Sequence, residues 1–366
     1  MTSALFSPYK INGLELANRI VVAPMCQYSA NDGVAGDWHW THLGMLANSG
    51  ASLVIIEMTD VERRGRITHG CLGIYSDACE AALARIIAHC KRIGTAKFGI
   101  QIAHAGRKAS SSRPWEGGQG LKPGEDPWET IGPSAIPFGP SWPAPRQMTE
   151  EDIAHVRAAF VEGTKRALRI GFDAIELHMA HGYLIHAFTS PISNTRNDGY
   201  GGDLAGRMRF GLEILRELRA LMPKGMPLGA RISATDWLDG GLTPDDSVIW
   251  VNTMKESGLD YVCVSSGGVH SGARNPLDAG YNVPLAEKIR RETGVATRAV
   301  GLITTPQQAE IIIADGKADM VALARAMLDH PHWAWFAARE LGAEVERCPQ
   351  YLRVAPKMWP GATMRQ

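Results

Sequence analysis

Gly171-Phe172-Asp173-Ala174-Ile175-Glu176-Leu177-His178 contains the repeating unit of the fold. Upstream, Thr149-Glu150-Glu151-Asp152 reads as a helix cap with acidic first-turn residues, and the amphipathic stretch 152–170 runs on to Gly171, a helix stop. A short apolar run follows at once, 174–177, and it ends on the polar group His178-x-x-His181-x-Tyr183. Helix, glycine, buried strand and polar end, in that order, describe an α/β barrel, whose chemistry gathers at the carboxyl ends of its strands.

The same unit recurs along the chain. Stretches 20–22, 53–56, 98–102, 174–177, 228–232, 261–264, 297–300 and 320–323 are candidate strands, and amphipathic stretches such as 208–221, 245–257 and 306–315 fall between them. Thr243-Pro244-Asp245-Asp246 places proline at a first helical position, and Gly258 and Gly294 stop helices just before strands. This order predicts a closed TIM (β/α)8 barrel, with residues 1–366 as a single domain. Asn12-Gly13 signals a two-residue hairpin that plugs the barrel bottom, and the Gly-, Pro- and Trp-rich stretch 105–147 reads as a long excursion over the mouth after the third strand.

Bulk properties narrow the partners. Apolar residues make up 45% and charged residues 21%, with no run long enough to span a bilayer, so a water-soluble chain with no membrane role is expected. Lys plus Arg and Asp plus Glu both number 38, which lacks the basic footprint of a nucleic-acid binder and leaves small molecules as partners. The opening Met1-Thr2-Ser3-Ala4-Leu5-Phe6-Ser7-Pro8 has no basic region followed by an apolar one, which points to a cytoplasmic address. Six cysteines without a C-x-x-C pair suggest reduced, buried thiols, with Cys26 set apart because it follows the first strand.

The strand ends carry the chemistry. Cys26, Met58, Gln101, His178 and Arg231 stand at the ends of strands one to five, Ser265-Ser266-Gly267-Gly268 ends the sixth, and Val300-Gly301 and Ala324-Arg325 end the last two. Glycine-rich turns near the last strands are the usual phosphate seat of this fold and imply a phosphorylated ligand. An interior Arg231 suits a polar aromatic ligand or a carboxylate partner such as Asp236 or Glu176. His178 and His181 can donate hydrogen bonds to a carbonyl oxygen, and a Tyr183 phenol holds its proton at neutral pH until a carbanion-like carbon takes it. The plainer alternative is two structural histidines and a core tyrosine.

Five ordered motifs make a resemblance specific: Ala23-Pro24-Met25-Cys26-Gln27-Tyr28, Gly65-Arg66-Ile67-Thr68, Gln101-Ile102-Ala103-His104-Ala105-Gly106-Arg107-Lys108, Glu176-Leu177-His178-x-Ala180-His181-Gly182-Tyr183-Leu184 and Asn194-x-Arg196-x-Asp198-x-Tyr200-Gly201-Gly202. Together, and nearly end to end, they resemble the Old Yellow Enzyme family, in its bacterial branch of NADPH dehydrogenases and xenobiotic reductases with cysteine at the first strand. The resemblance implies non-covalent FMN reduced by NADPH or NADH, and an ene-reductase acting on enones and related activated alkenes. Ala23, Pro24, Met25 and Cys26 would line the flavin, with Cys26 tuning it. Gln101 would bond its pyrimidine ring and Arg231 would offset charge there. Ser266, Gly267, Gly301, Ala324 and Arg325 would cradle the phosphate. His178 and His181 would hold the substrate carbonyl, and Tyr183 would protonate the α-carbon. Tyr28 and Lys108 match substrate-side positions, Lys108 alternatively being a solvated loop charge. Arg353, in Gln350-Tyr351-Leu352-Arg353, matches a residue reaching a neighbouring active site in a homodimer or homotetramer, and Trp359 is a second such candidate. The chain departs from the pattern at Met58, commonly a smaller flavin-side residue, and in the length of the 105–147 excursion.

No G-x-G-x-x-G follows a strand, so nicotinamide and alkene are expected to share one site in alternation. The related dienoyl-CoA reductases need an iron–sulfur cluster, for which Cys348 near the end of the chain is too few ligands. Two other readings are a barrel hydrolase or aldolase with His178 and His181 on a metal, for which a third ligand is missing, and a non-catalytic flavin-binding protein.

Overall fold

The computed structural model describes residues 3–362 and 364; the first two residues of the N-terminal stretch and the last two of the chain lie outside them. A hairpin, β1 (Tyr9–Ile11) and β2 (Leu14–Leu16), precedes the barrel strands β3 (Ile20–Val22), β4 (Leu53–Asp60) and β5 (Lys97–Ala103). Two short strands, β6 (Ile131–Gly132) and β7 (Arg146–Gln147), pair within the excursion. The barrel resumes with β8 (Ala174–Met179), β9 (Leu228–Ser233), β10 (Tyr261–Ser265), β11 (Ala296–Val300) and β12 (Met320–Leu323). Strands β3, β4, β5, β8, β9, β10, β11 and β12 form a closed parallel barrel, the TIM fold that the periodicity predicts.

Helices fill the crossovers: α1 (Asp37–Ala47), α2 (Asp77–Ile93), α3 (Glu150–Ile170), α4 (Leu184–Thr189), α5 (Leu204–Leu221), α6 (Pro244–Glu256), α7 (Val283–Thr293), α8 (Pro306–Ala314), α9 (Arg325–Asp329) and α10 (Trp333–Glu340). Among the described residues no helix is long and apolar enough to cross a membrane. Thr149 and Thr243 cap α3 and α6 as expected, each hydroxyl accepting from a backbone N–H three residues on. Helix α5 starts earlier than its apolar pattern, because Asp203 accepts from the Gly206 N–H.

Two elements differ from the sequence reading in instructive ways. Strand β4 continues past Ile56 to Asp60 through a bulge between Ile56 and Met58. Its second half, Glu57-Met58-Thr59-Asp60, lacks an apolar run, so pairing with β5 rather than local pattern makes it a strand. The bulge keeps Met58 and Asp60 on the inward face that Leu53 and Ile55 begin. The excursion is likewise more ordered than a loop. Buried Arg107 donates through Nη1 to the Ile136 and Pro137 carbonyls and through Nη2 to the Val269 carbonyl, while Arg196 donates to the Pro133 and Met148 carbonyls at 3.0 and 2.7 Å.

Inside the barrel three layers are stacked. At the bottom Ile11 and Leu16 of the hairpin pack on Val21, Leu53, Ile55, Tyr261 and Met320, the plug expected from Asn12-Gly13. The middle layer is polar: the Glu176 carboxylate pairs with Arg298 and accepts from Gln101 Nε2 at 2.8 Å and from the Tyr261 hydroxyl at 3.1 Å. Burial works against the Arg298 charge and the adjacent Glu176 outweighs it, keeping the guanidinium protonated. Above this layer lies the mouth. Replacing Glu176 by Ala strands a fully buried guanidinium, and the expected loss is about 3–5 kcal/mol of unfolding free energy. Urea denaturation measures it; a variant within about 1 kcal/mol of the parent would show that the layer does not depend on this carboxylate.

Candidate active site

Alternation along β8 sets the site. Ile175, Leu177 and Met179 face the helices, so Glu176 and His178 face inward, and His178 stands at the mouth with 4% of its surface exposed. The Ala180 N–H donates to His178 Nδ1 at 3.2 Å, which uses that nitrogen's lone pair and leaves the proton on Nε2. Next come His181 and Gly182, both in the left-handed region at φ 59° and 76°. The His181 N–H donates to Ser233 Oγ at 3.0 Å, and its Nε2 lies 2.8 Å from Ser265 Oγ. Tyr183 then caps α4. His178 sits edge-on to both partners, with ring centroids 5.1 Å from His181 and 4.8 Å from Tyr183. The structure thus brings together the three residues that the motif singles out.

Electrostatics fix their protonation. Burial, then the Arg231 charge, hold both imidazoles well below the ordinary histidine value, so they are neutral donors. Burial pushes the Tyr183 phenol well above its ordinary value, with Cys26 and Tyr28 adding to it. Cys26 and Tyr28 pack beside Tyr183 over Met58, Ile67, Cys71 and Ala103. Burial, then Cys71, raise the Cys26 thiol far above its ordinary value, so it is no nucleophile. Asp60, inward on β4, is fully buried with neither carboxylate oxygen bonded, and burial keeps it protonated.

Lys108 is not a solvated charge. Its Nζ donates to the carbonyls of His181 and Gly268 at 2.7 and 3.1 Å and sits 5.0 Å from the Tyr183 ring centroid and 4.3 Å from that of Phe138. Phe138 and Trp142 of the excursion, with Tyr28 and Lys108, wall a cavity of about 230 Å³ beside the site. The excursion therefore does cover the mouth.

On the opposite side, Arg231, Asn282, Tyr281, Gly301, Ala324 and Arg325 line a second cavity, of about 170 Å³. Arg231 pairs with neither Glu176, which Arg298 occupies, nor Asp236, which faces His186; its Nε is buried and unbonded. Ser266 and Gly267, expected in a phosphate cradle, lie outside the residues that line this cavity. The Gly267 N–H already donates to the Thr235 carbonyl at 2.8 Å, and the Ser266 hydroxyl donates to Asn282 Oδ1 at 2.7 Å. Ser266 thereby aims Asn282 Nδ2, itself buried and unbonded, and Tyr281 and Asn282 are lining residues that no motif announces. Ala23 packs with Cys263, Val300 and Ala322 in the floor, Met25 is partly buried against the main core, and Pro24 is half-buried between them. Arg353 is exposed in the turn Pro349–Val354. Among the described residues no third His, Cys, Asp or Glu joins His178 and His181 in a metal-binding group.

A barrel with neutral donors at its mouth and a cavity lined by Arg231 and Arg325 has the form of a barrel enzyme with room for an anionic ligand, and comparison with known proteins makes the family specific. Residues 4–344 match the profile of the NADH:flavin oxidoreductase / NADH oxidase family. An NADPH dehydrogenase of Geobacillus thermodenitrificans (strain NG80-2) is 46% identical over 96% of this chain and 99% of its own, and one of Listeria innocua is 42% identical over the same shares. Morphinone reductase shares the fold at a TM-score of 0.78 and 23% identity, over 96% of this chain and 93% of its own. A 2-naphthoyl-CoA reductase complex superposes at 0.83 over 93% of this chain, which spans 52% of that longer one. The chain belongs to the NADH:flavin oxidoreductase family, the Old Yellow Enzymes. It is an FMN-dependent oxidoreductase with NAD(P)H as reductant.

The residues present fit FMN. Two buried donors with open valences, Arg231 Nε and Asn282 Nδ2, face a polar cavity. Gln101 must turn Nε2 toward the acceptor-only Glu176, which leaves its Oε1 as the free end. One titration follows from the site. Burial, then Arg107, lower the Lys108 ammonium to about 7. Its folded value thus lies below its unfolded one, the unfolded chain binds the extra proton between roughly pH 7 and 10, and stability rises with pH across that window. Thermal midpoints should show this rise in the parent and a smaller one in Lys108→Met; identical profiles would mean that Lys108 titrates normally.

Proposed function

We propose that this chain reduces the C=C bond of α,β-unsaturated carbonyl compounds, with enones and related activated alkenes as substrates. The observation that carries the reading is the convergence of His178, whose proton is confined to Nε2, with His181 and a proton-retaining Tyr183 at one strand end.

In this reading Ala23, Pro24, Met25, Cys26 and Met58 line the flavin. Gln101 offers its Oε1 to the pyrimidine ring, Arg231 offsets negative charge there, and Gly301, Ala324 and Arg325 hold the phosphate with Asn282. FMN, when bound and reduced by the nicotinamide, supplies the hydride. His178 Nε2–H donates to the substrate carbonyl oxygen. In this reading the Ser265 hydroxyl, 2.8 Å from His181 Nε2, is the donor of that bond, so that His181 joins through Nδ1–H. Both donors draw electron density from the β-carbon. Tyr183 gives its proton to the α-carbon and is reprotonated from solvent. The Lys108 ammonium near its ring eases the phenolate that forms. Tyr28, Phe138 and Trp142 exclude water over the bound alkene. Nicotinamide and alkene use the same donors and so bind in turn.

The relatives' names favour NADPH over NADH. Assembly as a homodimer or homotetramer belongs to the same reading. It rests on the exposed apolar side chains Tyr351, Leu352 and Val354 around Arg353, and in this reading Arg353 reaches a neighbouring active site.

Tyr183→Phe should lower cyclohexenone-dependent reoxidation of the NADPH-reduced enzyme by about 100-fold or more while leaving reduction by NADPH within a few-fold. Stopped-flow absorbance separates the two steps. Undiminished reoxidation would leave a non-catalytic flavin-binding protein, or another acid, as the better reading. Gly301 has φ 121°, and a β-carbon there would lie 2.8 Å from Asn282 Nδ2. Gly301→Ala should therefore weaken FMN binding about tenfold. Equilibrium dialysis measures this, and an unchanged affinity would place the phosphate elsewhere.

A further inference from the structure

Behind the catalytic turn lies a closed set of polar groups that the reaction does not use. His186 projects from α4, and its Nδ1 accepts from the Gly182 N–H at 2.8 Å. Its Nε2 lies 3.0 Å from Asp236 Oδ1. The other carboxylate oxygen, Oδ2, accepts from the Ser190 hydroxyl at 2.6 Å and from the Leu242 N–H at 2.8 Å. His186, Ser190 and Asp236 are all fully buried. Burial works to raise the Asp236 carboxyl, and His186, Ser190 and the Leu242 N–H outweigh it, so the group stays ionised. This is no nucleophile relay, because the Ser190 hydroxyl points at Asp236 rather than at His186 and nothing reaches the set from solvent.

We propose that His186 and Asp236 are positioning residues for the alkene-reducing site: through the Gly182 N–H they hold the backbone turn on which His181 and Tyr183 stand. The inference rests on the roles given above to those two residues. His181 and Gly182 are consecutive left-handed residues, and for a non-glycine residue such as His181 that conformation is disfavoured by contact between its β-carbon and the following carbonyl oxygen. The turn persists because its polar groups are held from three directions. Ser233 Oγ takes the His181 N–H, Lys108 Nζ takes the His181 carbonyl, and His186 takes the Gly182 N–H. Gly182 cannot shift toward the sixth strand's loop, since its β position already lies 2.3 Å from the Gly268 oxygen. Of the three restraints, the one from His186 alone depends on a tautomer. An imidazole that accepts at Nδ1 must carry its proton on Nε2, and the ionised Asp236 selects that form.

The tautomer makes the proposal testable with an isosteric change. In Asp236→Asn the Leu242 N–H, an obligate donor, retains the amide oxygen at the Oδ2 place and turns the NH₂ group toward His186 Nε2. The imidazole proton must then move to Nδ1, where it opposes the Gly182 N–H donor to donor. A buried donor left without an acceptor is costly, so the turn shifts and both groups lose register.

Three measurements on FMN-loaded protein decide the matter. In the parent, nitrogen NMR of His186 should show Nδ1 unprotonated and Nε2 protonated; the opposite tautomer overturns the proposal without any variant. In Asp236→Asn, the dissociation constant of para-hydroxybenzaldehyde, whose phenolate oxygen is an acceptor for the paired imidazoles, should rise about tenfold or more with FMN content unchanged. Met254→Ala, a cavity variant in the outer helix α6, reports what general destabilisation does and should leave that constant near the parent value. Equal weakening in both variants, or none in Asp236→Asn, overturns the proposal. If Tyr183→Phe cripples reoxidation while Asp236→Asn binds the phenolate normally, only the positioning role falls; if Tyr183→Phe is silent, the reading beneath it falls first.

Discussion

One buried carboxylate, Glu176, ties four of the barrel strands together and decides where the other polar groups point. It pairs with Arg298 from β11 and takes hydrogen bonds from Gln101 on β5 and Tyr261 on β10. A buried ion pair is weak evidence of net stability, because desolvation offsets most of the Coulomb attraction. Its value here is directional. Carboxylate oxygens only accept, so Gln101 must present its amide nitrogen downward and its carbonyl oxygen upward. Arg298 consumes the charge that Arg231 would otherwise meet, and Arg231 is left to face the mouth with its Nε unbonded.

Strand pleat carries this order upward. His178 lies two residues beyond Glu176 on the same inward face, so the polar layer and this imidazole share one strand. Arg231 pairs in register with His178 across β8 and β9. Burial holds the imidazoles neutral, and that adjacency adds the charge of Arg231 to the effect. A neutral imidazole has one proton to give and a lone pair to place. At His178 the Ala180 N–H settles the choice, and at His186 behind the site the Gly182 N–H does the same.

Much of this was legible in the sequence, and the parts that were not share a cause. Strand runs, helix caps, the Asn12-Gly13 hairpin and the His178-His181-Tyr183 group are local patterns, and local patterns survive folding. The second half of β4 was not legible, because Glu57 and Asp60 break the apolar run and only pairing with β5 makes it a strand. Partner choice also escapes local reading. Asp236 and Glu176 were both plausible mates for Arg231, and each is taken by a residue far off in the chain, His186 and Arg298. The bonding partners of Ser266 and Gly267 escape local reading for the same reason. A glycine-rich turn signals available N–H groups, but Gly267 gives its own to Thr235, and Ser266 acts on the cavity only by aiming Asn282.

The excursion shows how a loop-like sequence acquires a fixed shape without a core of its own. Arg107 and Arg196 are buried: Arg107 donates to the Ile136 and Pro137 carbonyls of the excursion, and Arg196, paired with Asp198, donates to the Pro133 carbonyl within it and to that of Met148 just beyond its end. Planar donors of fixed geometry hold carbonyls that no helix or sheet would satisfy, which lets 105–147 cross the mouth with its backbone polar groups met. Arg107 reaches from there to the Val269 carbonyl, and the neighbouring Lys108 reaches the carbonyls of Gly268 and His181. Two consecutive basic side chains therefore join the excursion, the loop after the sixth strand and the turn that carries His181 and Tyr183. Phe138 and Trp142 are carried to the rim of the mouth by the same anchoring. Lys108, bonded to the His181 and Gly268 carbonyls and set over the rings of Phe138 and Tyr183, is the contact through which a shift of the cover reaches Tyr183.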